Sequence, residues 1–251
     1  MAQPQALKRD ESIYMAKVCE QTERFDDMLD YMKRALVDQK DELTVEERNL
    51  LSVAYKNSVG TRRTAWRVIS SIETKEEAKN SPNLPLLRDY KAKIEAELDK
   101  ICNEIIKFLD EKLISSAKDN AQSKVFYLKM KGDYFRYIAE YATGDKHAKA
   151  AESAYESYKL ANEIATDKLE TTNPIRLGLA LNFSVFYYEV RNDPKQACQL
   201  AKQAFDDAIA DIEKIEEENY KDSTTIMQLI RDNLTLWTTE LEHGDGEGGD
   251  E

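Results

Sequence analysis

Apolar side chains recur at steps of three and four along nearly the whole chain, the spacing that gathers them on one face of a helix. Leu87, Tyr90, Ile94, Leu98, Ile101, Ile105, Phe108 or Leu109, and Leu113 form one such row. It covers about seven turns, roughly 40 Å at about 1.5 Å per residue. That is long for an isolated globular helix and implies a bundle of rods. Phe25, Met28, Leu29, Met32, Ala35 and Leu36 form a second row. Only eight Gly and five Pro occur in 251 residues, and four of the Gly lie after residue 243. So few turn residues exclude a sandwich or barrel of short strands. The fold class is all-α.

Helix boundaries follow from the first-turn amides, which need acceptors, and from Pro, which is tolerated there. Ser81-Pro82, Asn173-Pro174 and Asp193-Pro194 each read as a cap followed by a first turn. Thr44 and Glu47 have capping-box spacing, and Gly144-Asp145 reads as a stop followed by a new cap. The pattern predicts nine helices, over 10–22, 25–38, 45–77, 81–115, 121–142, 145–168, 174–191, 194–215 and 220–241, in a single helical domain spanning 1–242. Residues 243–251 are Gly, Asp and Glu after His243. With no apolar anchor they read as a disordered acidic tail.

The 36 basic and 48 acidic side chains leave a net charge of −12. That balance disfavours nucleic acid, which is bound largely by neutralising phosphates. Cys19, Cys102 and Cys198 lack partnered spacing, so neither a disulfide framework nor a Cys-based metal site is indicated. A reducing compartment fits, the cytoplasm first and the nucleus second. No signal segment or membrane-spanning run is read.

Catalytic readings are weak. His147 and His243 are the only histidines, and His147 sits in a charged segment that reads as a solvated helix start. No phosphate-cradling Gly loop or metal-binding His pair is present, so no cofactor and no metal are expected. The glycosylation-type triplets at Asn182 and Asn233 fall inside helical patterns and are discounted.

A basic face within an acidic chain is more informative. Lys56, Arg63 and Arg67 are seven and four residues apart, so at about 100° per residue they project within about 40° of one another. No Asp or Glu occurs between Arg48 and Glu73. Such a patch is either compensated from another helix or kept for an anion. Lys129, Asp133 and Arg136 make a second stripe flanked by Tyr137, either as an ordinary intrahelical ion pair or as a basic pocket with an orienting carboxylate. Gly178, Asn182, Val185 and Glu189 share a third stripe, and Ile226, Leu229, Asn233, Leu236 and Trp237 a fourth. Each places one Asn in an otherwise mostly apolar row. A carboxamide is costly in a dry core but suited to bonding the N–H and C=O of an extended peptide. Ordinary bundle core is the bland alternative for both.

The segments RNLLSVAYKNSVGTRRTAWRVISSIE (48–73) and YKDSTTIMQLIRDNLTLWTTE (220–240) resemble the two signature segments of the 14-3-3 proteins. FYLKMKGDYFRYIAE and NPIRLGLALNFSVFYYEV lie between them in the expected order, so the likeness covers roughly residues 10–241. The resemblance implies nine antiparallel helices in a concave, L-shaped protomer, cup-shaped as a dimer. It also implies a non-enzymatic adaptor whose amphipathic groove binds phosphoserine or phosphothreonine in client proteins and regulates them in signalling. Carried over residue by residue, Lys56, Arg63, Arg136 and Tyr137 hold the phosphate, and Asn182 and Asn233 bond the client main chain. Lys129, Gly178, Leu181, Val185, Glu189, Ile226, Leu229, Leu236 and Trp237 line the rest of the groove.

Val18, Thr22, Ala65 and Tyr90 match the dimer contact, with Arg24–Glu97 and Asp27–Lys93 as intersubunit ion pairs, in a homodimer or a heterodimer with a paralogue. Ala65 stands where some members carry a phosphorylatable Ser, and Thr225 replaces a usual groove leucine. The competing readings are a helical scaffold for unmodified or acidic peptides and an enzyme of unrecognised type.

Overall fold

Helix formation follows the apolar rows and their caps. In the computed structural model, which describes residues 8–37 and 41–244 (backbone only at 243 and 244), nine long helices occur and no strand among the described residues. They are α1 (Arg9–Gln21), α2 (Phe25–Leu36), α3 (Val45–Ala78), α4 (Leu84–Phe108), α5 (Ala121–Tyr141), α6 (Gly144–Lys168), α7 (Pro174–Glu189), α8 (Pro194–Ala210) and α9 (Tyr220–Gly244). None is long and apolar enough to cross a membrane among the described residues. Of the expected tail, 243–251, residues 243 and 244 instead continue the backbone of α9, and the remainder lies outside the described residues.

Three of the expected caps form. Glu47 N donates to Thr44 Oγ1 at 3.2 Å while Thr44 N donates to Glu47 Oε2 at 3.0 Å, the reciprocal bonds of a capping box. Asn173 Oδ1 accepts from Ile175 N and Arg176 N, and Asp193 Oδ1 accepts from Gln196 N. Ser81 does not start α4. Its hydroxyl accepts from Asn83 N at 3.2 Å and closes a turn, and Asn83 occupies the cap position before Leu84. Thr143 occupies the cap position of α6, and Gly144 adopts φ +56°, a conformation open to Gly at little cost. α8 ends at Ala210, short of the expected 215, and two short 3-10 turns lead to α9.

The choice between Phe108 and Leu109 in the long row has a structural cause. α4 continues into a π-helical turn, Leu109–Leu113. The wider turn suits apolar spacing of four, and it keeps Ile105, Leu109 and Leu113 fully buried in phase while Phe108 stays half-buried.

The chain divides into two compact units, one up to Ser116 and one from Ala117. In the first, α2 packs on α1 and α3, and α3 on α4, around Met28, Met32, Leu51, Val59, Leu98 and Ile105. Arg62 ties three helices there. It donates to Asp26 on α2 at 2.9 Å, to Glu97 on α4 at 2.9 Å, and to the Ser58 carbonyl on its own helix at 2.9 Å. In the second unit α7 contacts α5, α6, α8 and α9.

Candidate functional site

The second unit builds its polar centre on a close approach of α5 to α6. The buried row of α6 is Ala150, Ala151, Ala154, Ser157, Tyr158, Ala161 and Ala165, small residues with one large exception. Tyr158 is accommodated by Gly132 on α5. A Cβ at position 132 would lie 2.7 Å from Tyr158 Cε1 and 2.8 Å from Cδ1, too close for any other residue without movement. The ring is also stacked on Phe183 of α7 (centroids 5.4 Å apart) and tilted against Phe186.

This packing sets the Tyr158 hydroxyl between Asp133 and Arg136, both buried on α5. Tyr158 Oη donates to Asp133 Oδ1 at 2.5 Å and accepts from Arg136 Nε at 3.2 Å. Asp133 Oδ1 also accepts from Asn182 Nδ2 of α7 at 2.8 Å, and Oδ2 accepts from Lys129 Nζ at 2.9 Å. Burial alone raises the Asp133 pKa, but the charges of Lys129 and Arg136, with the Tyr158 hydrogen bond, outweigh it and hold the carboxyl below its usual range. Burial, and then the Asp133 charge, push the Tyr158 phenol up, so it remains a donor. For Arg136 burial opposes the charge, yet its tyrosine and Asp133 neighbours prevail and it stays cationic.

Arg136 is thereby held through Nε. Its terminal nitrogens stand at ion-pair distance from acids, 3.6 Å to Asp133 Oδ1 and 3.5 Å to Glu189 Oε2. Its guanidinium carbon lies 4.9 Å from the centroid of the Tyr137 ring. Lys129, Arg136 and Asp133 sum to one positive charge, and Glu189, with a side chain 46% exposed, balances it at the rim. Glu189 is the exposed and loosely held acid of this set, whereas Asp133 accepts from Lys129, Tyr158 and Asn182.

The apolar side of this unit lies along α7 and α9. Leu181, Val185 and Ile226 are half-buried against the core formed by Leu177, Ala197, Met227 and Ile230. Leu229 and Leu236 are 47% and 55% exposed. A Cβ on Gly178 would lie 3.6 Å from Lys129 Cε and 3.9 Å from Ile226 Cδ1, so α5, α7 and α9 meet there. Asn233 is half-buried. Trp237 is 3% exposed and stacks on Tyr188 at 4.9 Å, so its indole is core rather than an open wall.

In the first unit Lys56 and Arg67 are exposed and Arg63 is half-buried. The expected dimer residues Thr22, Ala65, Tyr90 and Lys93 are exposed, and Val18 is half-buried. Tyr14, Val68, Ile72, Leu86 and Tyr90 are large apolar side chains open to solvent on the same unit. Within the single chain Arg24 pairs with Asp27, and Glu97 with Arg62. Arg24, Asp27 and Glu97, three of the four residues expected in intersubunit ion pairs, are thus engaged within the chain.

Sequence reasoning missed Tyr158 and Gly132. The available signal was a glycine inside a helical row, which costs about 1 kcal/mol relative to Ala and calls for a packing reason. His147, expected as a solvated residue, is half-buried, with Nδ1 2.8 Å from the Ala139 carbonyl.

A family model described as "14-3-3 protein" matches residues 15–238. The chain is 58% identical over 243 residues to "14-3-3-like protein B" of Hordeum vulgare, covering 96% of this chain and 92% of that protein. It is 60% identical over 231 residues to "14-3-3 protein homolog" of Candida albicans, covering 92% and 87%. "14-3-3 protein 6" of Solanum lycopersicum is 58% identical over 240 residues, covering 94% and 93%.

Proposed function

The chain belongs to the 14-3-3 protein family, and from that premise we propose that it is a phosphoserine- and phosphothreonine-dependent adaptor rather than an enzyme. Its clients are phosphorylated proteins whose activity, interactions or localisation it regulates. The observation that carries the reading is Arg136: a buried guanidinium held by its Nε, with its terminal nitrogens only loosely matched by acids. A phosphoryl group of about −1.5 to −2 charge matches that planar fork better than a lone carboxylate does. Lys56, Arg63 and Tyr137 are assigned to the same phosphoryl group by family likeness. At about 1.5–3 kcal/mol per charged hydrogen bond, these donors distinguish a phosphoserine from a serine by several kcal/mol after desolvation.

Asn182 has one N–H committed to Asp133. That fixes its amide plane, with the remaining N–H and the carbonyl available to a client main chain, and Asn233 serves the same purpose on α9. Leu181, Val185, Ile226, Leu229 and Leu236 take flanking side chains. The exposed apolar residues of the first unit, around Tyr90 and Ala65, support dimerisation with a second copy or a paralogue. The cytoplasm, with the nucleus second, is the proposed compartment.

Titrating one fluorescent peptide with and without phosphate on its serine decides the central point. The phosphorylated form binds at least tenfold more tightly, and Lys56→Glu abolishes the difference while the helical circular dichroism is retained. Equal affinities for the two peptides would instead favour the scaffold for unmodified peptides.

A further inference from the structure

We infer that Tyr158 is a positioning residue for anion capture: its hydroxyl, pressed against α5 by the absence of a side chain at Gly132, sets the orientation of the Arg136 guanidinium. The inference rests on the phosphate reading above and adds a residue that reading does not contain.

Three observations converge. The hydroxyl bridges the buried pair, accepting from Arg136 Nε at 3.2 Å and donating to Asp133 Oδ1 at 2.5 Å. An arginine side chain has several rotatable bonds, and an Nε–H fixed at its acceptor aims the two terminal nitrogens in one plane. The ring cannot be displaced easily, being fully buried, stacked on Phe183 and within 3 Å of where a Cβ at 132 would stand. Finally, the oxygen that takes the Tyr158 proton also takes the Asn182 amide proton. One carboxylate oxygen therefore sets both the arginine, through the phenol, and the amide of α7. Pre-set donors lose less freedom on binding than mobile ones, which is the physical origin of the expected gain in affinity.

The test uses the full chain and Tyr158→Phe, which removes the hydroxyl and keeps the ring. A fluorescent phosphoserine peptide and its unphosphorylated counterpart are titrated against both proteins. The expected result is a loss of about tenfold in phosphopeptide affinity, the scale of one hydrogen bond to a charged group, with the unphosphorylated peptide unaffected. A second measurement needs no variant at position 158. In the free wild-type protein the Arg136 Nε–H, assigned by its disappearance in Arg136→Lys, exchanges slowly with solvent. An unchanged phosphopeptide affinity in Tyr158→Phe, or an Nε–H that exchanges as fast as an exposed arginine, overturns the inference while wild-type discrimination between the peptides leaves the phosphate reading standing. Failure of the wild type itself to discriminate removes that reading and this one together.

Discussion

Gly132→Ala places one methyl group where the structure has no room for it. Its Cβ would lie 2.7 Å from Tyr158 Cε1, so the ring must retreat by roughly 0.7 Å to reach an ordinary contact of 3.4 Å. Tyr158 is 0% exposed and is backed by Phe183 and Phe186, and close-packed interiors transmit such a shift rather than absorb it. Overpacking of this kind costs about 1–3 kcal/mol. Weakening the Tyr158 bond to the charged Asp133 adds about 1.5 kcal/mol, and the better helix propensity of Ala returns about 1 kcal/mol. The net is a destabilisation of about 1.5–3.5 kcal/mol, or roughly 3–14 °C in Tm at about 2–4 °C per kcal/mol for a chain of this size.

Gly60 supplies the internal control. It also lies inside a long helix, but a Cβ there meets nothing within 4 Å, so Gly60→Ala is expected to raise the Tm by the propensity term alone. Thermal melts followed by circular dichroism compare the two variants directly. A Gly132→Ala protein that melts at or above the wild type, as Gly60→Ala should, would refute the argument that α5 and α6 approach closely because of this glycine.

Two further outcomes follow from the same polar cluster. Glu189→Gln removes the exposed carboxylate 3.5 Å from Arg136. A half-exposed ion pair is worth about 0.5 kcal/mol, so phosphopeptide affinity rises roughly twofold at low salt and the gain fades at high salt; weaker binding by calorimetry would show that Glu189 does not compete for the guanidinium. Asp133 has a folded-state pKa below its ordinary value, so the native state holds fewer protons there than the unfolded chain. Its contribution to stability is full above the unfolded value of about 3.9 and is lost as pH falls through the lower folded value. Urea unfolding of the wild type and Asp133→Asn should therefore show a constant gap above about pH 5 that narrows below about pH 4. A gap that widens on acidification would contradict the sign.

Much of this molecule is legible in one dimension because helices are built from local information. Row spacing of three and four, the Thr44–Glu47 box and the Asn-Pro and Asp-Pro caps depend on residues within a few positions of each other. The same locality brought Lys129, Asp133 and Arg136 to one face of α5, and the ion pairs among them are present. At the start of α4 a nearby competitor displaced the boundary: Ser81 closed a turn instead of capping a helix. Signature segments added the family, because their length and order carry information that helical periodicity lacks.

What periodicity could not supply is which helices approach one another, and how closely. Tyr158 lies 25 residues from Asp133 and Asn182 lies 49, and no spacing rule relates such positions. Their meeting depends on the small residues of α6 and on the missing Cβ at Gly132, which let two rods pack tightly enough for one hydroxyl to bridge a buried pair. The burial of Trp237 against Tyr188 and the engagement of Glu97 by Arg62 were likewise decided by packing. Local sequence determined which side chains share a face; the tertiary arrangement determined what each face meets, because burial and desolvation are properties of the assembled helices and not of any one of them.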